Sequence, residues 1–208
     1  MVDGATFSPI LPTYRPAVLG TMPSVYQLLP RGRHECVRDS AGKPIRDLYD
    51  PEVWVSHGWG LADTDQDGVL RQLLPDVAGA DDRRRIALDH LTKCLSRARQ
   101  FAAALDQPAT PPAEARMHLF AGDAVLTDAD AAWDARRRRI SMTRQAPGDG
   151  TVLRSSALMD ERLAGEWSPH LRTPIRWTNV TFLFADHIGL TSSPAFSDNV
   201  LYLLLEAP

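Results

Sequence analysis

The sequence predicts an α/β fold, and three observations carry that expectation. From Asp81 onward, stretches with helical spacing of apolar residues alternate with short β-branched and aromatic runs, in the order helix, strand, strand, helix, strand, helix. The most strand-like run of the chain, Trp177 to Ala185, comes late in that series. Between the second strand and the next helix lies Pro147-Gly148-Asp149-Gly150-Thr151-Val152. A carboxylate held between two glycines belongs to a tight loop, because the flanking glycines let the backbone turn sharply.

Taken in order, residues 1–20 are proline-rich (Pro9, Pro12, Pro16) and lack a period, which predicts a loop rather than the start of an independent fold. Thr21 to Pro30 predicts one short amphipathic helix, with Pro23 in its first turn and Pro30 closing it. Residues 1–30 are therefore expected to be a lead-in loop and a short helix. Residues 31–80 mix charges, glycines and aromatics without a long period. Two readings fit that texture: an irregular cap or lid with Trp54 and Trp59 supplying apolar surface, or a loop region packed by its own aromatics.

Residues 81–208 are expected to hold a helix followed by the sheet strands and their helices. Leu88, Leu91, Leu95, Ala98, Phe101 and Leu105 recur at spacings of three and four, which predicts a helix over Asp81 to Leu105. Gly79 and Asp81 supply its break and N-cap, and Asp106 to Pro112 its stop. Arg116 to Gly122 and Arg138 to Arg144 read as strands, and Ser155 to Leu163 as a helix. Ser193-Pro194 predicts an N-cap with proline at the first helical position, and Phe196, Val200, Leu203 and Leu204 give the last helix an apolar face.

Composition narrows the function classes. The 208 residues carry a net charge of −3, which offers no broad attraction to nucleic acid or to an anionic membrane. Cys36 and Cys94 lack metal-ligand spacing, and Cys94 falls on the apolar face of the long helix as a small core residue. Met1-Val2-Asp3-Gly4 opens without a basic stretch and apolar run, and no apolar run approaches the ~20 residues that span a bilayer. A cytoplasmic protein without a transmembrane segment is expected.

Asp149 is the leading candidate acid, placed in a loop after a strand, where open α/β sheets carry their sites. His187, 38 residues later and just after the strongest strand, is the candidate general base. The acid would accept the Nδ1 proton of the imidazole and steady the imidazolium as it forms. Asp123, in Ala121-Gly122-Asp123-Ala124, is a rival acid, since it too follows a strand and a glycine. Asp186 adjoins His187, and neighbours on an extended chain point apart, so it is a poor orienting partner. His34, His57, His90, His118 and His170 are assigned to structural or exposed positions.

Asp63-Thr64-Asp65-Gln66-Asp67-Gly68 imitates the start of a calcium loop, yet Leu74 stands at the twelfth position, where a bidentate glutamate is required. It reads as a solvated acidic turn, and no metal or organic cofactor is expected. His57-Gly58-Trp59-Gly60 is discounted as an oxyanion loop because no strand and nucleophile are placed to go with it. The arginines 136–139 are expected to be solvated at a strand start. No G-x-S-x-G occurs, Ser24 lacks flanking glycines, and Ser155 and Ser156 follow the acid rather than precede it.

Pro23-Ser24-Val25-Tyr26-Gln27-Leu28-Leu29-Pro30, Gly148-Asp149-Gly150-Thr151-Val152, and His187 ahead of an amphipathic last helix together resemble the C-terminal half of lecithin–cholesterol acyltransferase-like α/β-hydrolases, in particular bacterial lipase or esterase relatives. The resemblance is strongest over 21–30 and 145–205 and vaguest over 31–80. It implies the C-terminal portion of an α/β-hydrolase sheet with an irregular cap insertion, and a lipid or small-molecule ester as substrate. It also implies that Asp149 and His187 are triad acid and base. The family pattern further includes an N-terminal half with the first strands, an oxyanion loop and the serine elbow, none of which this sequence carries. The nucleophile is therefore expected outside this chain, with a complementary N-terminal half as partner. A thioesterase of the same fold, and a non-catalytic partial domain or pseudoenzyme that docks on another chain, are the other readings.

Overall fold

The computed structural model describes residues 14–32, 35–163 and 171–206. His34, His170, Pro9, Pro12 and the first four residues lie outside them. Helices and strands mix along the chain in a pattern compatible with the α/β class, with small sheets. The chain divides into two compact units, the first built from described residues 14–31, 37–108 and 133–141, the second from 32, 35–36, 109–132, 142–163 and 171–206.

In the first unit, α1 (Pro16–Gly20) and α2 (Pro23–Gln27) each begin on a proline, whose fixed φ suits a first helical turn. The loop expected through residue 20 is thus helical in its last five residues. β1 (Val37–Asp39) is short, and α3 (Pro51–His57) is capped by the Asp50 carboxylate, which accepts from the Glu52 N–H. Gly58 closes α3 at φ +64°, the left-handed conformation that glycine adopts without strain. After 3₁₀ turns at Gly60–Ala62 and Thr64–Gln66 come α4 (Asp67–Leu73) and α5 (Ala80–Leu105).

Residues 31–80 hold short helices and a share of the core. They supply Leu48, Tyr49, Trp54, Trp59, Leu61, Ala62 and Leu70 to one apolar core with Leu91, Cys94, Leu95, Ala98 and Ala102 of α5. Trp54 stands at its centre, 1% exposed, donating from Nε1 to the Leu48 carbonyl at 2.8 Å and packed between Tyr26 and Trp59. The aromatics of this stretch pack on one another, Trp54 against Tyr26 and Trp59, and Trp59 against Trp133. α5 falls in the first unit together with residues 37–80. Asp81 lies in the first turn of α5 rather than at its N-cap, which is Gly79. Both cysteines are free thiols.

In the second unit, β2 (His118–Gly122) pairs in parallel with β5 (Asn179–Leu183), in a register that sets His118 beside Asn179 and Gly122 beside Leu183. β3 (Val125–Asp134) and β4 (Arg139–Gly148) form a hairpin whose turn residues belong to the first unit, and the three-stranded sheet order is β1-β3-β4. β3 was not expected from the sequence, and β4 is longer than the strand expected over 138–144. The arginine run forms the turn, with Arg136 and Arg137 exposed and their N–H groups donating to the Asp134 carboxylate. α6 (Arg154–Ala157) is a single turn, shorter than the helix expected over 155–163, and α7 (Pro194–Leu205) starts on the expected proline. Among the described residues, no helix is long and apolar enough to cross a membrane.

Candidate active site

The glycine-bracketed carboxylate sits where β4 ends. Gly148 bridges to Leu153, and the Asp149 N–H donates to the Val152 carbonyl at 3.1 Å, closing a tight loop. Gly150 takes φ +91°, a conformation that costs a residue with a Cβ. The turn aims two N–H groups back at Asp149 Oδ1, from Thr151 at 2.9 Å and Val152 at 2.6 Å. Oδ2 stays available, and His187 Nδ1 lies 3.0 Å from it.

His187 is presented by the loop after β5. Asp186 shapes that loop through its own carboxylate, which accepts from the Gly189 N–H at 2.6 Å, while its carbonyl accepts from Leu190. The His187 backbone N–H donates to the Asp149 carbonyl at 2.8 Å, so the Asp149 and His187 loops are tied through backbone and side chain alike.

Asp149 is 7% exposed, whereas the His187 side chain is 46% exposed. Burial alone would raise the carboxyl pKa. The hydrogen bonds from Val152, His187 and Thr151 outweigh it and hold Asp149 below the ordinary carboxylate value. An ionised carboxylate only accepts, so the proton of a neutral imidazole sits on Nδ1 and Nε2 carries the lone pair. Among the described residues none takes up Nε2, and no serine, threonine or cysteine bonds to it.

Gly122, at the end of β2, makes this meeting possible. A Cβ there would stand 2.5 Å from the Ala185 carbonyl oxygen and 2.7 Å from Asp149 Cβ. Both loops thus cross directly over the glycine. β2 and β5 run parallel and end together at Gly122 and Leu183, so the His187 loop leaves β5 beside Gly122, while the Asp149 loop, which follows β4 of the other sheet, crosses over Gly122.

The rival acid is engaged elsewhere. Asp123 pairs with Arg154 at 3.4 Å, and the Arg154 guanidinium lies 4.4 Å from the Phe182 ring centre. The structure brings Asp149 and His187 together and leaves Asp123 on a different partner. His57 bonds the Val53 carbonyl and stacks on Trp59, and His90 contacts Cys94 Sγ at 3.3 Å. His118 Nδ1 is buried.

The acidic turn of the first unit is spent on arginines. Asp63 and Asp65 both pair with Arg138, and Asp67 pairs with Arg83 and Arg71. No group of three metal-ligating side chains exists among the described residues. In His57-Gly58-Trp59-Gly60 the glycines end α3 and let Gly60 rest on the Trp54 ring, a packing role. Ser24 is exposed on α2, and Ser155 and Ser156 lie in α6.

Sequence reasoning did not single out Thr127, Gly122 or Arg154. Gly122 shows in the sequence only as a strand-ending glycine, and Thr127 carries no signal because the alternating aspartates and alanines around it do not mark a strand. No family model, no curated protein and no solved structure matches this chain.

Proposed function

We propose that Asp149 and His187 are the acid and base of a serine acyl hydrolase or acyltransferase of the lecithin–cholesterol acyltransferase-like type, acting on lipid-like esters. The observation that carries this reading is the 3.0 Å approach of His187 Nδ1 to Asp149 Oδ2, with Nε2 left unclaimed among the described residues. An α/β-hydrolase arrangement is supported by the parallel β2–β5 pair, with the His187 loop following β5 and the Asp149 loop crossing the end of β2 at Gly122.

The serine hydroxyl comes from outside the described residues, on a complementary half of the sheet. His187 Nε2 removes its proton as oxygen attacks the ester carbonyl, and Asp149 steadies the imidazolium. The proton then passes to the departing alkoxide. Water or a second alcohol takes the acyl group through the same histidine. A thioester substrate would follow the same steps with a thiolate leaving.

The test is hydrolysis of p-nitrophenyl butyrate. Alone, the chain is expected to be no faster than its His187→Ala variant; a clear difference would show a hydroxyl of this chain acting. Reconstituted with a polypeptide bearing G-x-S-x-G encoded next to it, the chain is expected to give hydrolysis that His187→Ala lowers by about 10³-fold or more. Complex formation without histidine-dependent hydrolysis would overturn the enzyme reading. It would favour the second one, a docking module, for which Leu201, Tyr202, Leu204 and Leu205 of α7 are more than half exposed.

A further inference from the structure

We infer that Thr127 is the positioning residue of the Asp149–His187 pair: its hydroxyl clamps the Gly148-Asp149-Gly150 turn onto β3 and so aims the carboxylate. This rests on the pair acting as acid and base, and extends that reading to a residue on a different strand.

Thr127 is 4% exposed, and its hydroxyl is used in both directions. It donates to the Val125 carbonyl at 3.0 Å and accepts from the Gly150 N–H at 2.8 Å. The loop rests on the same side chain at its other end, since a Cβ on Gly148 would stand 2.5 Å from Thr127 Oγ1 and 3.0 Å from Thr127 Cβ. Between these glycines, Asp149 forms a parallel bridge with Val125. Three consecutive loop residues are therefore seated on Val125 and Thr127.

The consequence for the acid follows from the order of peptide groups in the turn. Gly150 N–H is tied to Thr127, and the next two N–H groups, of Thr151 and Val152, bond Asp149 Oδ1. Fixing the first peptide plane fixes the direction of the next two, which hold Oδ1 and turn Oδ2 toward His187. Without the hydroxyl, the Gly150 N–H loses its partner on β3 and must find another in water. The turn would relieve that by rotating, and the carboxylate would rotate with it.

Thr127→Val removes the hydroxyl at constant shape, and Thr127→Ser keeps it. NMR on the isotopically labelled chain reads two signals: the downfield Nδ1–H proton of His187, and the titration midpoint of the Asp149 carboxyl carbon. Thr127→Val is expected to lose the first and to raise the second toward the ordinary carboxylate value; Thr127→Ser is expected to restore both. A folded Thr127→Val variant that keeps both signals overturns the inference. Should that variant not fold, the wild-type chain decides: slow exchange of the Thr127 hydroxyl proton and of the Gly150 amide is expected, and fast exchange of either overturns the clamp. Ester turnover enters none of these measurements, so a failed reconstitution would leave them intact, and a failed clamp would leave the hydrolase reading intact.

Discussion

At the scale of single residues, the carboxylate of Asp149 stabilises the folded second unit only while it is ionised. Its folded pKa lies below the unfolded value, so its contribution is complete above about pH 4 and is lost as pH falls through the folded value. Asp149→Asn is expected to flatten that acid limb of the denaturant midpoint plotted against pH. The same variant should also favour the Nε2–H tautomer of His187, visible in imidazole nitrogen shifts, because an amide offers Nδ1 a donor. Gly122→Ala acts on both arms at once. Neither the Ala185 carbonyl nor Asp149 Cβ can swing away from an added methyl, so a loss of about 1–3 kcal/mol and of the downfield His187 proton is expected, read by chemical denaturation and NMR. The pair itself was legible in the sequence, since an aspartate between glycines and a histidine after a strong strand both announce loops. Thr127 was not, because a threonine's partner in space leaves no local mark.

At the scale of elements, α5 illustrates what periodicity does and does not carry. Its existence and span follow from spacings of three and four, yet two of the expected apolar positions, Phe101 and Leu105, are 42% and 48% exposed. The buried line runs instead through Ala87, Leu91, Cys94, Leu95, Ala98 and Ala102. Small residues face inward because α5 packs closely on its neighbours, and close approach favours small side chains over large ones. β3 is the converse case. Its alternating aspartates and alanines have little strand preference, and cross-strand partners hold it: Arg144 binds Asp130 at 2.6 and 3.1 Å, and Gln145 binds Asp128 at 3.1 Å. In α7, Phe196, Val200 and Leu203 are half-buried, with Phe196 edge-on to Phe120 at 5.4 Å, while Leu204 and Leu205 point outward at 74% and 72% exposure. Leu204→Ser/Leu205→Ser is expected to keep the fold and to reduce concentration-dependent association in sedimentation velocity.

At the scale of the whole molecule, the first unit depends on one aromatic centre. Trp54 touches Tyr26 and Trp59, and Trp59 meets Trp133 edge-on at 5.4 Å. Trp54→Ala is expected to cost about 3–5 kcal/mol in the first unit, measured by amide exchange of α5. By itself the sequence determined what is local to the chain: the long helix, the strongest strand, the proline-led last helix, and two loops bearing an acid and a base. Tertiary structure alone decided that Asp149 rather than Asp123 meets His187, that the aromatics of residues 31–80 share a core with α5, and that Gly122 and Thr127 support the pair. Periodicity and glycine placement act within a few residues of chain and are written there. Which strand lies beside which, and how closely two loops cross, is a balance of packing among residues far apart in sequence, and it exists only once the chain has folded.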